Sequence, residues 1–474
     1  MSFQLKSRAS WLLALLFACM AAGAAAWGYH EHQLYEKAAG ASNLFETQIS
    51  LKEGDNARLQ ELVARQKKQI DAAYEAEQRK SIEQDVVAIR GLDFKHPVEY
   101  ETLSHADIKK ILAEKMADQY SDEDFKHISA SLGAFGLLEP NYPLKEKYIA
   151  LLGEQIAAFY DQHHHKLFMF EDATLHDTQN RVILAHELTH ALQDQHFNLL
   201  STPLEVKNND DLALATSALV EGDATLLMMD YESKHLSLQT FTDSISSALT
   251  QNMQQLIRAP RYLRETLYFP YSAGRQFCEA LYQRGGYQAI SDAFTHPPVS
   301  TTQILHPEKY FANEQPILVA WPDTSLGAQK PTDNNVIGEF GIRVLLEKYM
   351  GESNAEDAAE GWRGDRYLVF GDGKGLVWKT LWADDERARN FREALLLYVE
   401  KRLKHSTADT SDPARALFSS PAIPATPATP DRPAIAAVPA RTGEIISAKD
   451  GNGIIFIWGE TKEFNDALVQ KFKE

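Results

Sequence analysis

Apolar positions repeat along this chain on two periods, and each period predicts its own elements. Residues 44–89 are rich in charge, and after Gly54 and Asp55 their apolar residues recur three and four apart, which predicts an amphipathic helix. Clean heptads are not sustained, so a spacer or packing helix is expected there rather than a coiled coil. Strand-like runs "QIAAFYD" (155–161) and "KLFMFED" (166–172) flank "QHHH" and predict a hairpin with histidines 163–165 at its tip. Adjacent histidines at a turn point in different directions, so a polar loop tip is expected there rather than a metal site. Helical spacing returns in "RVILAHELTHALQDQHF" (181–197), apolar at Val182, Leu184, Ala185, Leu188, Ala191 and Leu192 and free of Gly and Pro. Further on, "YLVFGDGKGLVWKTLW" (367–382) and "GEIISAKDGNGIIFIWGE" (443–460) read as hairpins, the second turning at Asp450–Gly453. The two are expected to pair in one small antiparallel sheet. The pattern as a whole predicts an α+β, mostly helical fold with short antiparallel strands.

Composition then divides the chain. Lys6 and Arg8 precede an apolar run from Trp11 to Trp27, the charged and hydrophobic regions of an export signal, so residues 1–28 read as a signal peptide or as an uncleaved N-terminal membrane anchor. "LFAC" at 16–19 faintly resembles a lipoprotein box at Cys19, but the apolar run continues past it. Residues 29–90 read as a helical spacer or propeptide and 91–404 as the main domain. Seven of the 19 prolines fall within 405–440, which reads as a disordered or extended connector. Residues 441–474 read as a terminal hairpin and helix packing back on the main domain. With 66 acidic against 48 basic residues the net charge is −18, which argues against a nucleic-acid partner. Two cysteines, Cys19 and Cys278, exclude a disulfide framework, and Cys278 in "AGRQFCEAL" reads as a buried small apolar residue.

The chemistry concentrates in the helix at 181–197. Residues four apart share a helix face about 6 Å from one another, so His186 and His190 can aim ring nitrogens at one zinc ion. Glu187 is rotated by about 100° from His186, which suits it to take a proton from a metal-activated water rather than to ligate. H-E-x-x-H alone would arise by composition in about one such chain in twenty-five, so a third ligand is needed. Glu221 in "LALATSALVEGDATLLMMDY" supplies it: a carboxylate in an apolar helix, where burial demands a partner. Gly222 beside it costs the helix about 1 kcal/mol relative to alanine, which signals close approach to another backbone.

"HELTHALQD" followed by a helical glutamate resembles the gluzincins, the thermolysin-like clan of zinc metallopeptidases, over roughly residues 150–310. The resemblance implies a zincin-like catalytic domain binding one zinc ion through His186, His190 and Glu221, with Glu187 as general base. Four residues past the third ligand, where that pattern has an aspartate, this chain has Thr225, so Asp194, Asp223 and Thr225 all stand as candidates to orient His186. The resemblance also implies an oxyanion donor, and "YFPYSAGRQF" is similar to a tyrosine-x-x-glycine helix start in the aminopeptidase branch, making Tyr271 the candidate and His306 in "STTQILHPEKY" the second. Tyr310 and "GWRGDRY" (361–367) are expected to shape the cleft, and the strand "KLFMFED" to pair with an extended substrate. The implied function is cleavage of polypeptides in the bacterial periplasm or cell envelope. The alternative is an envelope binding or assembly factor on the same fold with little or no proteolysis.

Overall fold

The computed structural model describes residues 56–155, 158–235, 258–321, 323–403, 407–420, 440–448 and 452–473. The export segment with Cys19, the proline run 421–439 and the tip of the last hairpin at 449–451 lie outside the described residues. The chain divides into two units, 1–81 and 82–474. In the first, the described part is helix α1 (Asn56–Arg90), which gives its last turns to the second unit, where Ile82 and Val86 are buried.

The second unit is α+β and mostly helical. Its smaller sheet holds β1 (Glu99–Leu103), β2 (Ala158–Asp161) and β3 (Lys166–Phe170) in the order β1-β3-β2, with β1 parallel and β2 antiparallel to β3. The expected hairpin is present, but β3 is paired on both sides. The edges belong to β1 and β2, so "KLFMFED" is the central strand, and the edge nearer the histidine helix is that of "AFYD". Between β1 and β2 run α2 (His105–Gln119), α3 (Asp122–Phe135) and α4 (Leu144–Gln155). A capping box of Ser121 with Asp124 starts α3, and Gly136 at φ 71° ends it.

Further helices follow: α5 (Thr178–Phe197), α6 (Asp210–His235), the long α7 (Arg261–Thr295) and the short α8 (Thr301–Leu305) and α9 (Pro307–Phe311). Asp177 caps the start of α5 by accepting the Gln179 N–H, and Asn198 in the left-handed region closes its end. One face of α5, including Leu184, Leu188 and Leu192, packs with Leu167 and Met169 of β3. Helix α6 is the one described helix long and apolar enough to cross a membrane, and it lies instead in the core, with Ala215, Ala218, Leu219 and Leu227 buried. Pro270 lies inside α7, and non-helical Gly285 and Gly286 kink that helix in its last third.

A second, wholly antiparallel sheet has seven strands, in the order β4-β5-β6-β10-β9-β8-β7. They are β4 (Asp333–Asn335), β5 (Trp362–Phe370), β6 (Gly375–Trp382), β7 (Thr407–Asp412), β8 (Arg415–Ser420), β9 (Arg441–Ser447) and β10 (Gly453–Gly459). The two expected hairpins do pair, through β6 and β10. Period two sorts their side chains: Tyr367, Val369 and Trp378 join α10 (Gly338–Met350), α11 (Glu352–Ala359) and α12 (Asp385–Arg402), while Leu368, Phe370 and Val377 meet α13 (Lys462–Phe472). Both faces are covered, which is why all seven residues of β10 are buried. The expected connector at 405–440 is corrected in its first part, because 407–420 forms the β7–β8 hairpin. Pro413 sits in its turn, where no ladder hydrogen bond is required.

Candidate metal centre

Helices α5 and α6 bring three ligand atoms together. His186 Nε2 lies 3.1 Å from His190 Nε2 and 3.2 Å from Glu221 Oε2, and His190 Nε2 lies 3.5 Å from Glu221 Oε2. A tetrahedral ion with bonds of about 2.0–2.1 Å separates its ligand atoms by about 3.3–3.4 Å, so the triangle has the size that zinc requires. Among the described residues this is the one group of three or more His, Cys, Asp or Glu side chains arranged to hold a metal ion. The pair of histidines was fixed by local spacing. Glu221 arrives through packing.

That packing depends on two glycines. A Cβ on Gly222 would lie 2.2 Å from the Gly274 carbonyl oxygen, and one on Gly274 would lie 2.1 Å from the Ala218 oxygen. Helices α6 and α7 therefore touch backbone to backbone, the close approach expected from Gly222. Three residues before Gly274, Tyr271 is thereby set beside the centre: its ring stacks 6.1 Å from that of His186, and its hydroxyl bonds to Glu221. Glu221 first, then burial, raise the Tyr271 hydroxyl well above its ordinary value, so it remains a proton donor.

Glu187 is buried beside the triangle, and its Oε2 accepts the Tyr160 N–H at 2.7 Å. That N–H points from the free edge of β2, so the sheet edge and the candidate base are joined. Burial lifts the Glu187 carboxyl above the usual range, partly opposed by the two histidines. Burial would also lift Glu221, but the His190 and His186 rings hold it well below that range. His190 is lowered by burial and raised more strongly by Glu221 and Glu187, and stands at about 9. A bound cation would replace these protons and reverse that balance.

The surrounding groups differ from the expected ones in several places. His190 Nδ1 bonds to Gln193 Oε1 at 2.9 Å, and the Gln193 amide donates to Asp223 Oδ2 at 2.9 Å and to the Val220 carbonyl at 3.0 Å. Asp223 is paired with Arg90 at 3.0 Å. Asp223 thus supports His190 rather than His186. Asp194 serves the hairpin: it accepts from the Tyr160 hydroxyl at 2.8 Å and meets His165 Nδ1 at 2.7 Å. None of the three candidates hydrogen-bonds to His186: its Nδ1 and Thr225 Oγ1 are both buried without a hydrogen-bond partner among the described residues. Gln193 was readable, being three residues from His190 on one helix, whereas Arg90 lies 100 residues before His190 and gave no signal.

His306 is engaged with other partners. Its ring bonds to Glu339 at 2.8 Å and meets Arg343 at 3.2 Å, and the α8 helix before it docks through Thr301 on Asp211. Asp211 is ten residues before Glu221, about 15 Å along α6. Tyr310 packs on Phe277 and donates its hydroxyl to the His296 carbonyl. "GWRGDRY" becomes β5, where buried Asp365 accepts from Ile337 N, Gly338 N and the Trp362 and Trp378 indoles. The three tip histidines go to three different carboxylates, Glu205, Asp161 and Asp194, as a polar loop tip should. Cys278 is fully buried and burial raises its thiol well above the ordinary value, so it is inert packing.

Comparison with known proteins adds little about this centre. The family described as a domain of unknown function, DUF8575, matches residues 326–421, which cover β4 to β8 and none of the ligand-bearing helices. No curated protein matches the chain. A solved structure described as "a putative hydrolase with a novel fold from Chloroflexus aurantiacus" is 16% identical, with a TM-score of 0.32 over 50% of this chain and 88% of that one.

Proposed function

We propose that this chain is a zinc-dependent metallopeptidase that hydrolyses peptide bonds of polypeptides in the cell envelope, where the N-terminal segment would deliver or anchor it. The observation that carries the reading is the triangle of His186, His190 and Glu221 with Glu187 buried alongside. Zinc held by that triangle would supply a water of pKa near about 7 and polarise a carbonyl. Glu187, oriented by the Tyr160 N–H and raised by burial, is suited to take a proton from water and return it to the leaving amine. Tyr271 keeps its proton and can donate to the carbonyl oxygen as negative charge develops there. The outer edge of β2, where Ala158 shares the parity of Tyr160, offers backbone groups to an extended chain.

Elemental analysis of purified protein should find one zinc per chain. Glu187→Gln should keep the zinc while peptide cleavage falls by about a hundredfold or more. Wild-type protein without metal, or undiminished cleavage by Glu187→Gln, would overturn the reading. Survival of the physiological role in a cleavage-dead Glu187→Gln strain would replace it with a binding or assembly role.

A further inference from the structure

A cavity of about 750 Å³ opens between α4, the start of α7 and the end of α10. Its floor is apolar and buried: Leu138, Leu151, Leu263, Val344 and Leu345. Its rim carries Lys147, Arg258, Arg261 and Lys348 against Glu139. Arg261 is paired with Glu347, but Lys147, Arg258 and Lys348 have no carboxylate partner among the described residues. In a chain of net charge −18, three uncompensated cations around one apolar hollow make a local anion-attracting site.

The start of α7 lines the cavity, and the same helix carries Tyr271 beside the candidate metal centre. Arg261, Arg264, Tyr268 and Tyr271 are spaced three, four and three apart, so they form one stripe on α7 running from the cavity rim to the site. Tyr268 on this stripe is 58% exposed, an aromatic surface open to a passing chain. Ten residues of helix span about 15 Å, and an extended peptide covers that in four or five residues at about 3.3 Å each.

We propose that this cavity is a substrate subsite that takes an acidic side chain four or five residues from the scissile bond, its carboxylate met by Lys147, Arg258 and Lys348. The proposal rests on the peptidase reading for its placement, but its ligand preference can be measured without catalysis.

The test compares peptides carrying Glu at the fourth or fifth position from the cleaved bond with their Gln isosteres. Zinc-loaded wild-type protein should show kcat/KM about tenfold higher for the Glu peptides, falling as salt rises. The exposed triple variant Lys147→Glu/Arg258→Glu/Lys348→Glu, checked for an unchanged melting curve, should lose or invert that preference. Fluorescein-labelled peptides bound to Glu187→Gln protein should show the same ratio by anisotropy. A Glu-to-Gln ratio near one in wild type, or a ratio unchanged in the triple variant, overturns the proposal while leaving the peptidase reading intact. Absence of all cleavage with the anisotropy preference retained would sink the peptidase reading and support the acidic site on its own.

Discussion

Gly222→Ala tests the packing that completes the proposed metal site. In an ordinary helix this change stabilises by up to about 1 kcal/mol, because glycine loses more backbone freedom on folding. Here the new methyl would stand 2.2 Å from the Gly274 oxygen, 2.3 Å from its carbonyl carbon and 2.9 Å from the Arg275 nitrogen. All three are backbone atoms, so no rotamer relieves the contact and α6 must withdraw from α7 by about 1 Å to reach van der Waals distance. Overpacking of this kind costs about 1–3 kcal/mol, which outweighs the propensity gain and lowers the melting temperature by a few degrees. Glu221 is the next residue, and metal ligands tolerate about 0.2 Å of misplacement, so zinc affinity should fall by about tenfold or more. The assay is a thermal melt of apo protein together with a competitive zinc titration. Gly133→Ala is the control, since an added Cβ there meets nothing within 4 Å; it should raise stability and leave zinc affinity alone. If Gly222→Ala melts at or above wild type and binds zinc within twofold of it, the helix-contact argument is wrong.

Three other outcomes follow from single side chains. Thr225→Val should weaken zinc binding by about tenfold while Thr225→Ser stays within twofold, because Thr225 Oγ1 and His186 Nδ1 are both buried without a hydrogen-bond partner among the described residues and each can satisfy the other; equal affinities in titration would exclude that role. Asp211 is raised by burial to about 7 from an ordinary 3.8, so its contribution is fully present below pH 3.8 and lost as pH rises through about 7. That gap corresponds to as much as about 4 kcal/mol, and Asp211→Asn, which still accepts from Thr301, should flatten the fall in melting temperature between pH 5 and pH 8; a slope equal to wild type refutes it. Asp365→Ala strands four buried N–H donors at about 1–3 kcal/mol each, so it should unfold the larger sheet, with Asp365→Asn milder; a native near-ultraviolet circular dichroism spectrum for Asp365→Ala would contradict this.

The sequence by itself determined whatever one stretch of backbone can encode. It placed the hairpin before α5, the His186–His190 pair, the position of Glu187 and the two hairpins of the larger sheet, because periods of 3.6 and 2 are local properties. It marked Glu221 and Gly222 as unusual in an apolar helix, and Tyr271 came with a resemblance that the geometry then placed beside His186. Only the tertiary structure decided that β3 is the central strand of its sheet, since β1 pairs with it across more than sixty residues. It also gave Asp223 to His190 by way of Gln193 and tied it to Arg90, bound His306 to Glu339, and turned 407–420 into sheet. Those outcomes are contacts between distant segments, set by which helix faces meet and how closely, and no period along the chain records them.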